Sequence, residues 1–302
     1  MELRHLTTFI HVCEFMSFSK AAEHLGYTQS SVTQQIQQLE AELGVELFER
    51  TGKRFSLSTK GLELLPYANR LTSLASETKA VVSNAQKPSG VLRIGAIEST
   101  CNYILPPILK QYLKLWPSVQ ISVRNATTLE IMEMLRKNQV DLILTLDEKI
   151  AVPEWSTAWE RPTNIVFLCC PAHPFAGRTN IRLRDILEEN LLLTEPGCNY
   201  RQVFEHDCAE RNLEIKSNLE IGSISNILEF TKHNFGITFL PEAAAHAELQ
   251  KGTLSIFQME DYSMQMLIQL IYRKDKWVSP AIKELIKLSM CIASDECKSN
   301  AK

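Results

Sequence analysis

SFSKAAEHLGYTQSSVTQQIQQLEAELGVELFER, running from Ser17 to Arg50, reads as two helices set at an angle with the second presented outward. Ser17 or Ser19 is placed to cap the first helix by accepting a backbone N–H, and Ala21, Ala22 and Leu25 form its inward face. Gly26 tolerates the left-handed backbone of a tight interhelix turn, and Thr28 stands where it caps the next helix. From about Gln29 that helix carries Val32, Ile36, Leu39 and Leu43 at i, i+4, i+7 and i+11, which puts them on one buried stripe. Thr28, Gln29, Ser30, Thr33, Gln34 and Gln37 fall elsewhere, as donors and acceptors suited to base edges and phosphates in a major groove. Any amphipathic α-hairpin shows such a stripe, so periodicity alone leaves a plain packing role open. The next segment shifts the reading. Phe48 to Ser58 forms a two-stranded wing with Gly52 at its tip, and Arg50, Lys53 and Arg54 cluster there, which suits phosphate or minor-groove contact.

Ser17-Phe18-Ser19 with Ala21-Ala22, the Leu25-Gly26 turn, Leu39-Glu40 with Leu43-Gly44, Leu47-Phe48-Glu49-Arg50, and Leu57 to Gly61 followed by Leu64-Leu65-Pro66-Tyr67-Ala68 together resemble the N-terminal signature of the LysR-type transcriptional regulators. The rest of the chain is similar to that family in length and domain order, with looser motifs. The resemblance implies a mostly α-helical winged helix-turn-helix at 1–58, a linker and dimerisation helix with a hinge at 59–87, and an effector-binding domain at 88–302. That last part would be a two-lobed α/β domain of the periplasmic-binding-protein kind, with lobe I at 91–161 and 263–302 and lobe II at 162–262. The partners implied are double-stranded DNA, a small-molecule effector, RNA polymerase and further copies of the chain in a homodimer or homotetramer. Family members often carry Ser-Arg where this chain has Thr33-Gln34, so a different half-site preference is expected.

With 302 residues the chain is long enough for two or three cores, and 45 % hydrophobic with 22 % charged residues is ordinary for a globular protein. Met1-Glu2-Leu3-Arg4-His5 opens a polar-faced helix rather than a secretory leader, and no apolar run approaches the ~20 residues that span a bilayer; a cytoplasmic protein is expected. The net charge of -3 does not announce a nucleic-acid binder. Local placement matters more, because repulsion between exposed charges fades beyond ~8 Å at physiological salt while wing cations touch phosphates directly. Eight cysteines without a leader imply free thiols. No CxxC occurs, and the His residues lack ligand spacing; His206 with Cys208 is the nearest approach to a metal cluster, so neither metal nor cofactor is expected.

Upstream of the hairpin, Leu6, Phe9, Ile10 and Cys13 give a first helix its buried face. Downstream, Thr59 is placed to cap a helix from Lys60 to about Ala85, ~39 Å long, with Leu62, Leu65, Ala68, Leu71 and Leu74 along one stripe. A single-striped helix of that length needs a partner, either its own chain or a second copy. Gln86 to Gly90 breaks it. Strands then alternate with helices: Val91–Ile97, Val119–Val123 and Val140–Leu144 are separated by Ile104–Leu115 and Leu129–Lys137, the pattern of a parallel α/β sheet. A second such run begins near Asn164, and the resemblance implies a crossing between lobes near Arg161-Pro162 with a return near Tyr262.

A ligand between the lobes would meet Ser and Thr at helix starts, where backbone N–H groups favour an anion such as an organic acid. The residues expected there are Ser99, Thr100, Thr127, Thr128, Cys198, Tyr200, Arg201 and Ser223, although such hydroxyls also serve as plain caps. By resemblance, Ser99, Thr100 and Thr128 match positions that touch effectors. Glu98 and Glu195 would oppose an acid if they point inward. Peroxide-sensing members of the family use a cysteine pair in this region, so Cys198 and Cys208 form an alternative redox reading, with Arg201 and a helix N-terminus able to lower the Cys198 thiol. The helix between them would hold the thiols ~15 Å apart. Nucleophile elbow, Walker loop and nicotinamide fingerprint are missing from the sequence, so no catalytic residue is assigned; a solute-binding or catalytic α/β domain is the remaining alternative.

Overall fold

The computed structural model describes residues 1–51, 54–82, 87–215 and 217–299. Internal contacts divide the chain into one unit of Met1–Lys87 with Lys137–Gln139 and a second of Pro88–Arg136 with Val140–Lys302.

In the first unit α1 (Leu3–Phe15), α2 (Phe18–Leu25) and α3 (Gln29–Leu43) enclose a core of Leu6, Phe9, Val12, Ala21, Val32, Ile36 and Leu39. The caps fall where side-chain chemistry places them. Ser17 Oγ accepts from Lys20 N at 3.4 Å, Thr28 Oγ1 accepts from Ser31 N at 3.2 Å, and Gly26 and Gly44 end α2 and α3 at φ of 68° and 69°. Leu43 departs from the expected stripe. It is exposed in the last turn of α3, because the chain leaves the helix there through Gly44 and Leu47 takes up the buried position. The wing strands β1 (Phe48–Thr51) and β2 (Arg54–Leu57) pair antiparallel, with Phe48 stacked on Phe55 at 5.0 Å. Next, α4 (Thr59–Val82) begins one residue earlier than expected, and its cap is Ser58 rather than Thr59: Ser58 Oγ accepts from Gly61 N at 3.0 Å and donates to Glu46 O at 2.7 Å. Ala68 is buried, whereas Leu62, Tyr67, Leu71, Leu74 and Val82 are exposed.

The second unit opens with β3 (Gly90–Ala96), α5 (Glu98–Tyr103), α6 (Leu105–Leu115), β4 (Val119–Asn125), α7 (Thr128–Arg136) and β5 (Leu142–Asp147). Strand β3 lies between β4 and β5, parallel to both, the arrangement that helical crossover connections permit. The expectation of a parallel sheet holds only this far. β6 (Trp155–Cys169) is one 15-residue strand, and it passes through Arg161-Pro162 without a break instead of starting afresh near Asn164. Beyond it come α8 (Leu183–Ile186), β7 (Leu191–Leu193), α9 (Asn199–Glu210), β8 (Ser217–Glu220), α10 (Ile224–Lys232), β9 (Thr238–Pro241), α11 (Glu242–Gln250), β10 (Ser255–Phe257), β11 (Met264–Arg273) and α12 (Pro280–Ser299). β11 runs antiparallel to both β5 and β6, and β9 and β10 pair antiparallel with the far half of β6, so the seven-stranded sheet is mixed. The first lobe is closed by α12, where Tyr112 Oη donates to Ala281 O at 2.9 Å and Trp159 Nε1 donates to Ser289 Oγ at 2.8 Å. The second lobe centres on Phe167, Phe204, Phe239 and Phe257, whose rings meet within 6 Å of Phe167 or of each other.

Candidate nucleic-acid interface and effector cleft

Helix α3 presents Gln29, Ser30 and Gln34 to solvent, while Thr33 is half-buried and donates its hydroxyl to Gln29 O at 2.9 Å. Thr28 is engaged as the cap, with Ser30 Oγ 2.9 Å and Ser31 Oγ 2.8 Å from its hydroxyl. Gln35 turns the other way and accepts from Thr8 Oγ1 at 2.6 Å, which fixes the rotation of α3 on α1 and leaves Gln34 facing out. An exposed aromatic that the sequence reading passed over, Tyr27, stands just before the cap. In the wing, Arg50 and Arg54 occupy β1 and β2, on register pairs Arg50↔Phe55 and Thr51↔Arg54; Gly52 and Lys53 lie outside the described residues.

The expected effector residues do not act as one group. Thr100 donates to Leu144 O at 2.7 Å and lies 3.1 Å from Ile97 O, so its hydroxyl is used within its own lobe. Thr127 donates to Glu130 Oε2 at 2.8 Å as a local cap of α7. Arg201 is buried and fully engaged: Nε donates to Glu205 at 2.6 Å, Nη2 to Glu220 at 2.7 Å, and Nη1 to the Thr194 carbonyl. An ion pair with both carboxylates in place leaves no free guanidinium for an acid ligand. Ser99 is also buried, and its Oγ has no hydrogen-bond partner among the described residues.

Where the lobes meet, the expected residues Thr128 and Ser223 take part in the bridging, together with Glu98 and with Asn199, which sequence reasoning did not assign. Asn199 Nδ2, at the start of α9, donates to Thr128 Oγ1 at 2.9 Å, Asp147 Oδ2 at 2.7 Å and Leu146 O at 3.2 Å. Across the junction, Glu98 Oε1 accepts from Ile224 N at 3.1 Å and from the Ser223 hydroxyl, so a carboxylate of the chain itself sits at the N-terminus of α10. Ser225 and Tyr103 make a further hydrogen bond between the same elements. Burial pushes the Glu98 carboxyl above its ordinary range against those hydrogen bonds, with nearby Glu195 adding to the rise; burial likewise raises Asp147. Glu195 faces the same spot, since a methyl group built on Gly222 would lie 3.8 Å from its Oε2. Glu98 thus takes the inward orientation in which the sequence set it against an acid ligand.

The thiols contradict the expected activation of Cys198. Burial raises Cys198, outweighing its hydrogen bonds to Thr194, Tyr200 and the Arg201 backbone, and burial pushes the fully enclosed Cys208 up to about 11. A raised thiol is a poor nucleophile. His206 pairs with Glu210 at 3.3 Å, and among the described residues no group of metal-ligating side chains converges. A cavity of about 450 Å³ lies away from the cleft, lined by Asp207, Glu210, Arg211 and Glu260 among others; within it Tyr262 Oη donates to Asp207 at 2.8 Å and Arg211 lies over the Tyr262 ring. No described helix is long and apolar enough to cross a membrane.

Comparison with known proteins places both units. Residues 3–62 match the bacterial regulatory helix-turn-helix family of LysR type, and residues 85–290 match the LysR substrate binding domain. The chain is 34 % identical over 290 residues to an uncharacterized HTH-type transcriptional regulator, YwqM, of Bacillus subtilis, covering 96 % of this chain and 98 % of the relative. Among solved structures it shares its fold with a full-length OxyR variant from Pseudomonas aeruginosa, at TM-score 0.76, 20 % identity and coverage of 96 % and 94 %. It also shares it with full-length CbnR complexed with its target DNA, at TM-score 0.65, 22 % identity and coverage of 97 % and 100 %. With a capped recognition helix and wing in one unit, two bridged α/β lobes in the other, and family matches over both, the chain belongs to the LysR family of DNA-binding, effector-responsive transcriptional regulators.

Proposed function

We propose that the chain reads its operator with Gln29, Ser30, Thr33 and Gln34 at base edges and neighbouring phosphates, and holds backbone phosphate with Arg50, Lys53 and Arg54 of the wing. The division at 1–58, 59–87 and 88–302 then separates reading, pairing and sensing. Pairing of two copies through the linker helix gives an interrupted inverted repeat with half-sites ~34 Å or a multiple apart. A tetramer would carry two such pairs, and the regulator works in the cytoplasm, alongside RNA polymerase and without chemistry of its own. Exposure of Gln29, Ser30 and Gln34 on one side of α3, opposite the Gln35–Thr8 anchor, supports this orientation.

A small molecule held between the lobes sets the output. The observation that carries this is the bridging itself: Glu98 on α10 and Asn199 on Thr128 and Asp147 make contacts that exist only while the lobes are together. An effector that inserts there changes closure, and a tenfold preference for one state is worth ~1.4 kcal/mol of coupling. The residues assigned to it are Ser99, Thr128, Ser223 and the Cys198–Tyr200 turn. Footprinting of the upstream DNA, with and without effector, tests both halves. Gln29→Ala should cost ~1–3 kcal/mol on the preferred site, whereas Lys53→Ala should weaken all sites alike and flatten the salt slope by about one. The reverse pattern would mean that α3 is turned the other way.

A further inference from the structure

The cleft is lined for positive charge. At the N-terminus of α10 (Ile224–Lys232), where an acid ligand would be expected, the Glu98 carboxylate already accepts from Ile224 N and Ser223. Glu195 stands close enough to repel it, with Oε2 against Gly222. Asp147 is half-buried on the opposite side of the junction, held by Asn199. Arg201, the cation expected to greet an acid, is neutralised by Glu205 and Glu220. An incoming carboxylate would have to expel Glu98 and then lie between two like charges, whereas an incoming cation would relieve the repulsion and leave the α10 cap intact. A second observation marks the spot as a binding place. Ser99, which follows Glu98 in α5, is 5 % exposed and its hydroxyl has no partner among the described residues, and a polar group that is buried without one costs free energy that a ligand would recover.

We propose that the effector bears an ammonium or guanidinium group, held by Glu98 and Glu195 and hydrogen-bonded by Ser99, in place of the organic acid that the helix starts alone suggest. This assignment rests on the reading that the effector binds between the lobes. Calorimetric titration of the full-length chain with putrescine and agmatine, and with succinate as the anionic probe, tests it. At least one amine should bind tenfold or more tightly than succinate, and Glu195→Gln and Ser99→Ala should each weaken that amine several-fold. Glutamine keeps the volume of glutamate, so Glu195→Gln should melt as cooperatively as the parent in circular dichroism, and Glu98→Gln serves as a second reporter. Tighter binding of succinate, lost in Ser99→Ala, would overturn the charge assignment and leave the cleft standing. Amine binding untouched by all three substitutions would place the ligand elsewhere and overturn both readings. No amine binding at millimolar concentration would overturn the charge assignment too.

Discussion

Ser99 and Thr100 are neighbours of the same chemical type at the start of one short helix, yet their hydroxyls do different work. That of Thr100 ties α5 to the middle of β5 through Leu144 O, while that of Ser99 is enclosed and unspent. Thr100→Val should therefore lower stability by ~0.5–1.5 kcal/mol, the net worth of one hydrogen bond, since Ile97 N still donates to Leu144 O, and leave effector affinity nearly unchanged; denaturant melts beside ligand titrations would show it. Sequence offered no means of separating the pair, since both residue types cap helices and bind ligands, and the rotamer decides. Gly61 was legible as part of the family-like run but not as a packing site. A side chain there would overlap the Leu47 carbonyl oxygen and lie 2.8 Å from Leu57 Cγ, where α4 crosses the wing. Gly61→Ala should destabilise the DNA-binding unit by ~1–3 kcal/mol, read as a lower thermal midpoint and weaker operator binding together.

At the scale of elements, helices were easy to read because their signals are local. The caps at Ser17 and Thr28 and the stops at Gly26 and Gly44 lie within a few residues of what they terminate. Strand β6 was misread because its length is set by β11, which pairs with it from Met264↔Ile165 to Arg273↔Trp155, far downstream in the chain. Such pairing leaves no trace in a short window. Along α4, Ala68 of the expected stripe is buried while much of the rest faces outward: Leu62 is 60 % and Leu74 is 56 % exposed. Burial of such side chains between two copies is worth about 1.5–3 kcal/mol each at most. Leu74→Glu should put like charges in register across that seam, shift the assembly toward monomer in sedimentation, and weaken DNA binding through loss of the second half-site.

For the molecule as a whole, carboxylates of opposite character set the response to acid. Glu248 is held down to about 2 by hydrogen bonds from Thr253, Lys251 and Lys232, so its contribution is present above the ordinary carboxylate range and is lost as pH falls toward 2. Glu248→Gln should lower the thermal midpoint at pH 7 and converge with the parent near pH 2. Glu98 is raised, chiefly by burial, so its sign is reversed: what it adds is present in acid and fades as pH rises through its elevated value. Relative to the parent, Glu98→Gln should gain in midpoint as pH climbs above the ordinary carboxylate range, with Ser223, the Ile224 amide and Glu195 as the groups that feel the change. The α/β character of this part was legible from alternating periods, and its two lobes from the family resemblance alone. The loops at its cleft were named from their helix starts, but the side chains that bond across it were not, because those loops lie far apart in sequence and their charges matter only once the fold brings them together.

The run of β6 beside β11, shifted in register only between Leu270 and Ile271, gives the second unit a memory that is short by construction. Both strands cross between the lobes within one hydrogen-bonded ladder, with Arg161 opposite Ile268 and Pro162 opposite Leu267. Opening and closing must therefore bend a laced ribbon, which behaves as a leaf spring rather than a free pivot. A spring returns when its load is removed, so the regulatory state should last only as long as the effector stays bound, and the off-rate of the ligand becomes the clock of the response.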